Sequence, residues 1–171
     1  MPLPLVHVVP TSRRCGATTL AHLWGRSADE RPLESPVPAS GSPWIVPVIG
    51  ASPQYMDYGI HQLYGLLNNP RIRIAGVLVS PTAPGPVTAD VEKAIENVRR
   101  AVAPAPVHFI EWNRSLSRDL LTKVPQWDFK RPKERMIGKR AWDDTYNKFS
   151  DIVDYIAAAE SNPATATPED I

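Results

Sequence analysis

This sequence predicts an α/β protein, with a short parallel sheet flanked by helices. Two observations carry the prediction. β-branched apolar runs alternate with stripes at helical spacing, an order that gives right-handed crossovers and helices on both faces of a sheet. Residues 72–79 are largely apolar, as suits a strand covered on both sides. Four strands are expected. A length of 171 residues suits one domain with a real core, read here as residues 1–160.

Residues 3–9 form the first expected strand, with Pro4 limiting its start. A short helix should begin near Thr18 and end by Gly25. The stretch over 26–43 is polar and holds Pro32, Pro36, Pro38 and Pro43, so it reads as a surface connection without regular structure. Residues 45–50 are the next strand. Ser52 is a natural N-cap and Pro53 a natural first helical residue. Met56, Ile60, Leu63 and Leu67 then recur at helical spacing, until Asn68-Asn69-Pro70 stops the helix.

Residues 72–79 and 107–110 are the remaining strands. Between them Val91, Ile95, Val98 and Val102 mark a second amphipathic helix. Ser115 caps a short helix through Leu121, and a long helix over 139–159 places Trp142, Tyr146, Phe149, Val153 and Ile156 on one face. Residues 161–171 are small and polar and read as a disordered tail.

Composition narrows the function classes. A net charge of +1 creates no global field towards nucleic acid or membrane. Cys15 is the single cysteine, which excludes an internal disulfide and fits a reducing cytoplasm. No run is long enough to span a membrane, and the N-terminus lacks a basic region followed by an apolar one. His7, His22, His61 and His108 have no metal-like spacing, so no metal site is expected. His7 and His108 read as satisfied residues of the sheet.

The segment with the most chemistry is Ser12-Arg13-Arg14-Cys15-Gly16-Ala17-Thr18-Thr19. It joins a β-branched run to a helix, as in the phosphate-binding pattern GxxxxGK[ST]. There, glycine amides cradle phosphate and a lysine neutralises it. Here Ala17 stands at the lysine position, and Arg13 and Arg14 stand where glycines often lie. The amides over Gly16 to Thr19 can still attract an anion, because a helix N-terminus does so by itself. Cys15 lies beside two arginines and a helix start, features that can lower a thiol pKa; packing as a small loop residue is the plainer reading.

In this loop and in the order of its elements, the chain resembles the ParA/MinD group of P-loop ATPases, those with a deviant Walker A motif. Gly16, Thr18 and Thr19 match that motif, and Thr18 falls on its magnesium-binding hydroxyl. Ser12 replaces the signature lysine and Ala17 the phosphate-binding lysine. The resemblance implies an abbreviated P-loop-like three-layer sandwich. It also implies a nucleotide or anion site at Arg13, Arg14, Cys15, Gly16, Ala17, Thr18 and Thr19, with Trp112, Asn113 and Arg114 as the loop against an adenine. No cofactor follows from the residues themselves; the resemblance implies ATP or ADP with magnesium. No apolar strand ending in aspartate is expected between Leu20 and Trp44, so the second Walker motif has no counterpart. Phosphoryl transfer depends on charge neutralisation by lysine and metal, so these losses point away from hydrolysis.

Family members bind DNA through basic residues of their C-terminal part. Lys130, Arg131, Lys133, Arg135, Lys139 and Arg140 gather here around Trp127 and Phe129, a local footprint of that kind. The plainer reading is a solvated loop balanced by Asp128, Glu134, Asp143 and Asp144. Tyr58 need not share the apolar stripe of its helix, which leaves it free for the rim or for a protein partner.

The expectation that follows is a non-hydrolytic, cytoplasmic binding or accessory factor in plasmid or chromosome partition or DNA transfer. It would use a protein partner or self-association, with DNA as a second ligand and no membrane. The alternatives are an unconventional ATPase using Arg13 or Arg14, and a DNA-binding module using the segment over 123–140.

Overall fold

The computed structural model of the chain describes residues 4–114, 123–124, 126–127 and 140–162, without the side chains of 140–143. In chain order the elements are β1 (Val6–Pro10), α1 (Ala17–Trp24), β2 (Ala28–Glu30), β3 (Trp44–Gly50), α2 (Pro53–Leu67), β4 (Arg73–Ile74), β5 (Val77–Ser80), α3 (Ala89–Val102), β6 (Val107–Phe109) and α4 (Arg140–Ser161). All strand pairs are parallel. The sheet order is β2-β1-β3-β5-β6, and β4 adds to β3 beside β5.

Side-chain alternation along the strands builds three layers. Val46 and Val48 of β3 pack in one core with Leu20 of α1 and with Phe149, Ile152 and Ile156 of α4. Ile49 joins Met56 and Leu63 of α2 and Val91, Ile95 and Val98 of α3 on the other face. Trp24 and Phe149 are fully buried and stack at 4.3 Å, which locks the end of α1 to α4. Aromatic pairs of this kind contribute about 0.5–1.5 kcal/mol beyond area burial.

The expected caps of α2 are present: the Ser52 hydroxyl accepts from the Tyr55 amide at 3.4 Å, and Pro53 is the first helical residue. Gly59 lets this helix lie close on the sheet. A Cβ there would stand 2.6 Å from Ile49 Cγ2 and 2.9 Å from Thr11 Oγ1. That close approach holds α2 against the ends of β1 and β3.

Three expectations need correction. Among the described residues the sheet has six strands rather than four. The stretch over 26–43 is not wholly irregular, because β2 lies within it and pairs with β1 in the register Val6–Ala28, His7–Asp29 and Val8–Glu30. The run over 72–79 is two strands, because both β4 and β5 pair with β3 and Ala75-Gly76 separates them. At Gly76 a Cβ would stand 2.8 Å from Ile152, so α4 approaches the sheet at this break. The short helix expected from Ser115 and most of the tail lie outside the described residues.

Candidate functional site

The order of the sheet places a crevice beside β1. The chain runs from β1 outward to β2 and then returns past β1 to β3. Helix α1 therefore leaves towards one face and α2 towards the other. In doubly wound sheets, ligands bind in the gap at the carboxyl ends of such strands. Here that gap is an open cleft of about 1320 Å³.

The loop over 11–16 forms its floor. Thr11 continues the β1–β3 ladder: its amide and hydroxyl both donate to the Val48 carbonyl, at 3.1 and 2.9 Å. Arg14 has a φ of 59° and Gly16 a φ of 86°, two left-handed residues that turn the chain sharply into α1. A Cβ on Gly16 would stand 2.9 Å from Ser80 Oγ, so the loop also abuts the end of β5. Gly16 is the N-cap of α1. It supplies no side-chain acceptor, and the first turn carries no acidic residue. The positive end of the α1 dipole therefore lies at the cleft without an acidic cap from the helix itself, while the Ala17 amide turns to the Cys15 sulfur. Ser12 lines the cleft as well, and its hydroxyl is buried without a hydrogen-bond partner among the described residues.

Charges of both signs meet in the cleft. Arg13 and Arg14 are exposed on the loop, while Glu30, Glu34 and Asp57 stand on the other walls. The Thr18 hydroxyl donates to Glu30 Oε1 at 3.1 Å. Glu30 brings to the α1 N-terminus the negative charge that the helix itself lacks. Such placement contributes about 0.3–1 kcal/mol at an exposed site. Tyr55, Tyr58 and His61 complete the cleft on the α2 side.

All seven residues from Arg13 to Thr19 expected at a nucleotide or anion site line this one cleft. Ala17 is buried at 3 % exposure, so the lysine position faces the core and carries no charge. Cys15 is buried too. Burial pushes its thiol up from the ordinary value, and the amides of Ala17, Ser12, Thr11 and Cys15 around the sulfur only partly offset this. The neighbouring arginines therefore do not make it a reactive thiolate. Trp112, Asn113 and Arg114 follow β6 and do not line the cleft. Lys130, Arg131, Lys133, Arg135 and Lys139 lie outside the described residues, as does the side chain of Arg140.

Glu30 was missed by the sequence reading. No apolar run precedes it, and the prolines that follow suggest a loop; the signal was a pair of acids, Asp29-Glu30, one short helix after the glycine turn. Among the described residues no three His, Cys, Asp or Glu side chains could hold a metal together, and no helix is long and apolar enough to cross a membrane.

Fold and cleft together define a doubly wound α/β domain with an open, mixed-charge cleft at the switch point of its sheet. No protein-family model matches the chain, and no curated protein matches it either.

Proposed function

We propose that this chain is a degenerate ParA/MinD-like P-loop-fold protein that binds a nucleotide-type anion at the loop over 12–19 and does not hydrolyse it. In this reading it serves as a binding or accessory factor in partition or DNA transfer. The observation that supports it most is the loop itself. An uncapped α1 N-terminus, two exposed arginines and the turn at Gly16 converge at the sheet's switch point, while the lysine position is a buried alanine. Backbone amides and guanidinium groups suffice to bind phosphate. Transition-state stabilisation needs more positive charge than remains after Glu30, Glu34 and Asp57 are set against Arg13 and Arg14.

Titration calorimetry of ATP, ADP and GTP, with magnesium present, tests this reading. Binding that weakens in the Arg13→Ala, Arg14→Ala double variant, with no phosphate release, is expected. Magnesium-dependent hydrolysis abolished by Thr18→Ala would overturn it.

One observation favours a second reading, an unconventional ATPase. The Thr18–Glu30 contact sets a carboxylate beside the hydroxyl that would meet a metal. On that reading Glu30→Gln abolishes a turnover that the wild-type chain shows.

A further inference from the structure

We infer, resting on the anion reading of the loop, that the cleft takes a ligand with a planar aromatic ring, and that the ring lies on Tyr58 of α2 rather than on the loop at Trp112. The ligand class is a mononucleotide or another aryl phosphate.

Tyr55, Tyr58 and His61 are spaced by three along α2, which puts them on one side of the helix, and all three line the cleft. Tyr58 is 50 % exposed, a large aromatic surface turned to solvent inside a concave site. Its backbone is fixed by its neighbour: Gly59 is buried against Ile49 and Thr11, and Thr11 begins the loop. Tyr55 is held as well, because its ring carbon Cδ2 would stand 3.1 Å from a Cβ on Gly50. The aromatic side of the cleft is thus rigidly referenced to its arginine-bearing loop. Trp112 is 38 % exposed but lies off the cleft, so it offers a ring where no phosphate site faces it.

The charges agree with a ligand of this shape. Arg13 and Arg14, exposed beside the positive end of α1, can receive a phosphate. Asp57 is one residue before Tyr58, and Glu34 lies on the opposing loop; both are acceptors for the amino and hydroxyl groups that a nucleoside carries and inorganic phosphate lacks. A polyphosphate alone would meet three carboxylates with nothing to offer them.

The experiment compares ADP with pyrophosphate by calorimetry on the full chain in excess magnesium. Wild type, Tyr58→Leu, Tyr58→Phe and Trp112→Leu are titrated. Tyr58→Leu keeps an apolar helix residue and removes the ring, while Tyr58→Phe keeps the ring. ADP should bind more tightly than pyrophosphate. Tyr58→Leu should weaken ADP about tenfold, as loss of one base–aromatic stack does, with pyrophosphate unchanged. Tyr58→Phe should retain wild-type affinity, and so should Trp112→Leu. ADP binding no tighter than pyrophosphate overturns the inference and leaves the anion reading standing. So does an ADP loss carried by Trp112→Leu instead of Tyr58→Leu. Failure of both ligands to bind removes the anion reading and the inference with it.

Discussion

His7 and Asp29 face each other across β1 and β2, their Cα atoms in register and the His7 Nδ1 against the Asp29 carboxylate. The His7 Nε2 lies 3.1 Å from the Ser42 carbonyl. His7 is 1 % exposed, so this contact ties the core of β1 to the polar strand β2 and to the turn before β3. It explains how Ala28-Asp29-Glu30, with little apolar character, is held as a strand. Asp29→Ala leaves a buried ring nitrogen without its partner. A loss of about 1–3 kcal/mol is expected in urea unfolding. Because Glu30 is the next residue, the same variant should also shift the amide resonances of Thr18 and Thr19.

The two left-handed loop residues predict opposite outcomes. Gly16 has a φ of 86° and no room for a Cβ beside Ser80. Gly16→Ala should cost about 1–3 kcal/mol, measured by thermal or urea unfolding. Arg14 already occupies the left-handed region with a φ of 59°. Arg14→Gly relieves that conformation, so stability should change by less than about 1 kcal/mol while anion affinity falls. A pair of unfolding curves and a pair of titrations check both statements. Equal destabilisation by the two changes would contradict the geometry.

The Cys15 thiol is buried, and burial raises its pKa. The thiolate is the reactive form, so native protein at neutral pH should react with iodoacetamide far more slowly than protein in denaturant. Mass spectrometry of a timed alkylation measures the ratio. On the anion reading, ligand binding should slow it further, since Cys15 lines the cleft. Cys15→Ser should retain binding, because the sulfur supplies no charge.

His108 of β6 stands with Nε2 at 3.5 Å from Asp151 Oδ2 of α4. Burial lowers its pKa below the ordinary 6.5, and the nearby Asp151 only partly opposes this. A histidine whose folded value is depressed binds its proton more readily when unfolded. Stability from this group is therefore complete above pH 6.5 and is lost as pH falls through the lower, folded value. Denaturation curves from pH 8 to pH 5 should show that decline, roughly within the interval where imidazole titrates. His108→Gln should flatten it. An unchanged slope in the variant would assign the decline to other groups.

The α/β class, the helices and the loop were legible in the sequence because local rules govern them. Helical spacing marks α2 and α3; Ser52-Pro53 starts α2, and Gly16 with Thr18-Thr19 marks the turn into α1. Each signal lies within a few residues of the element that it specifies. Strand β2 was not legible, because Asp29 is held by His7, 22 residues away, and nothing within its own three residues favours a strand. The split of β4 from β5 depends likewise on α4 pressing against Gly76 from far along the chain. The composition of the cleft was decided only by the fold. Arg13 to Thr19 could be read as one loop, but Glu30, Glu34, Tyr55, Asp57, Tyr58 and His61 reach it because the sheet turns back past β1. Sequence by itself determined which backbone turns and which faces are apolar. Tertiary structure decided which charges and rings share the site, since sheet order is set by the packing of whole layers.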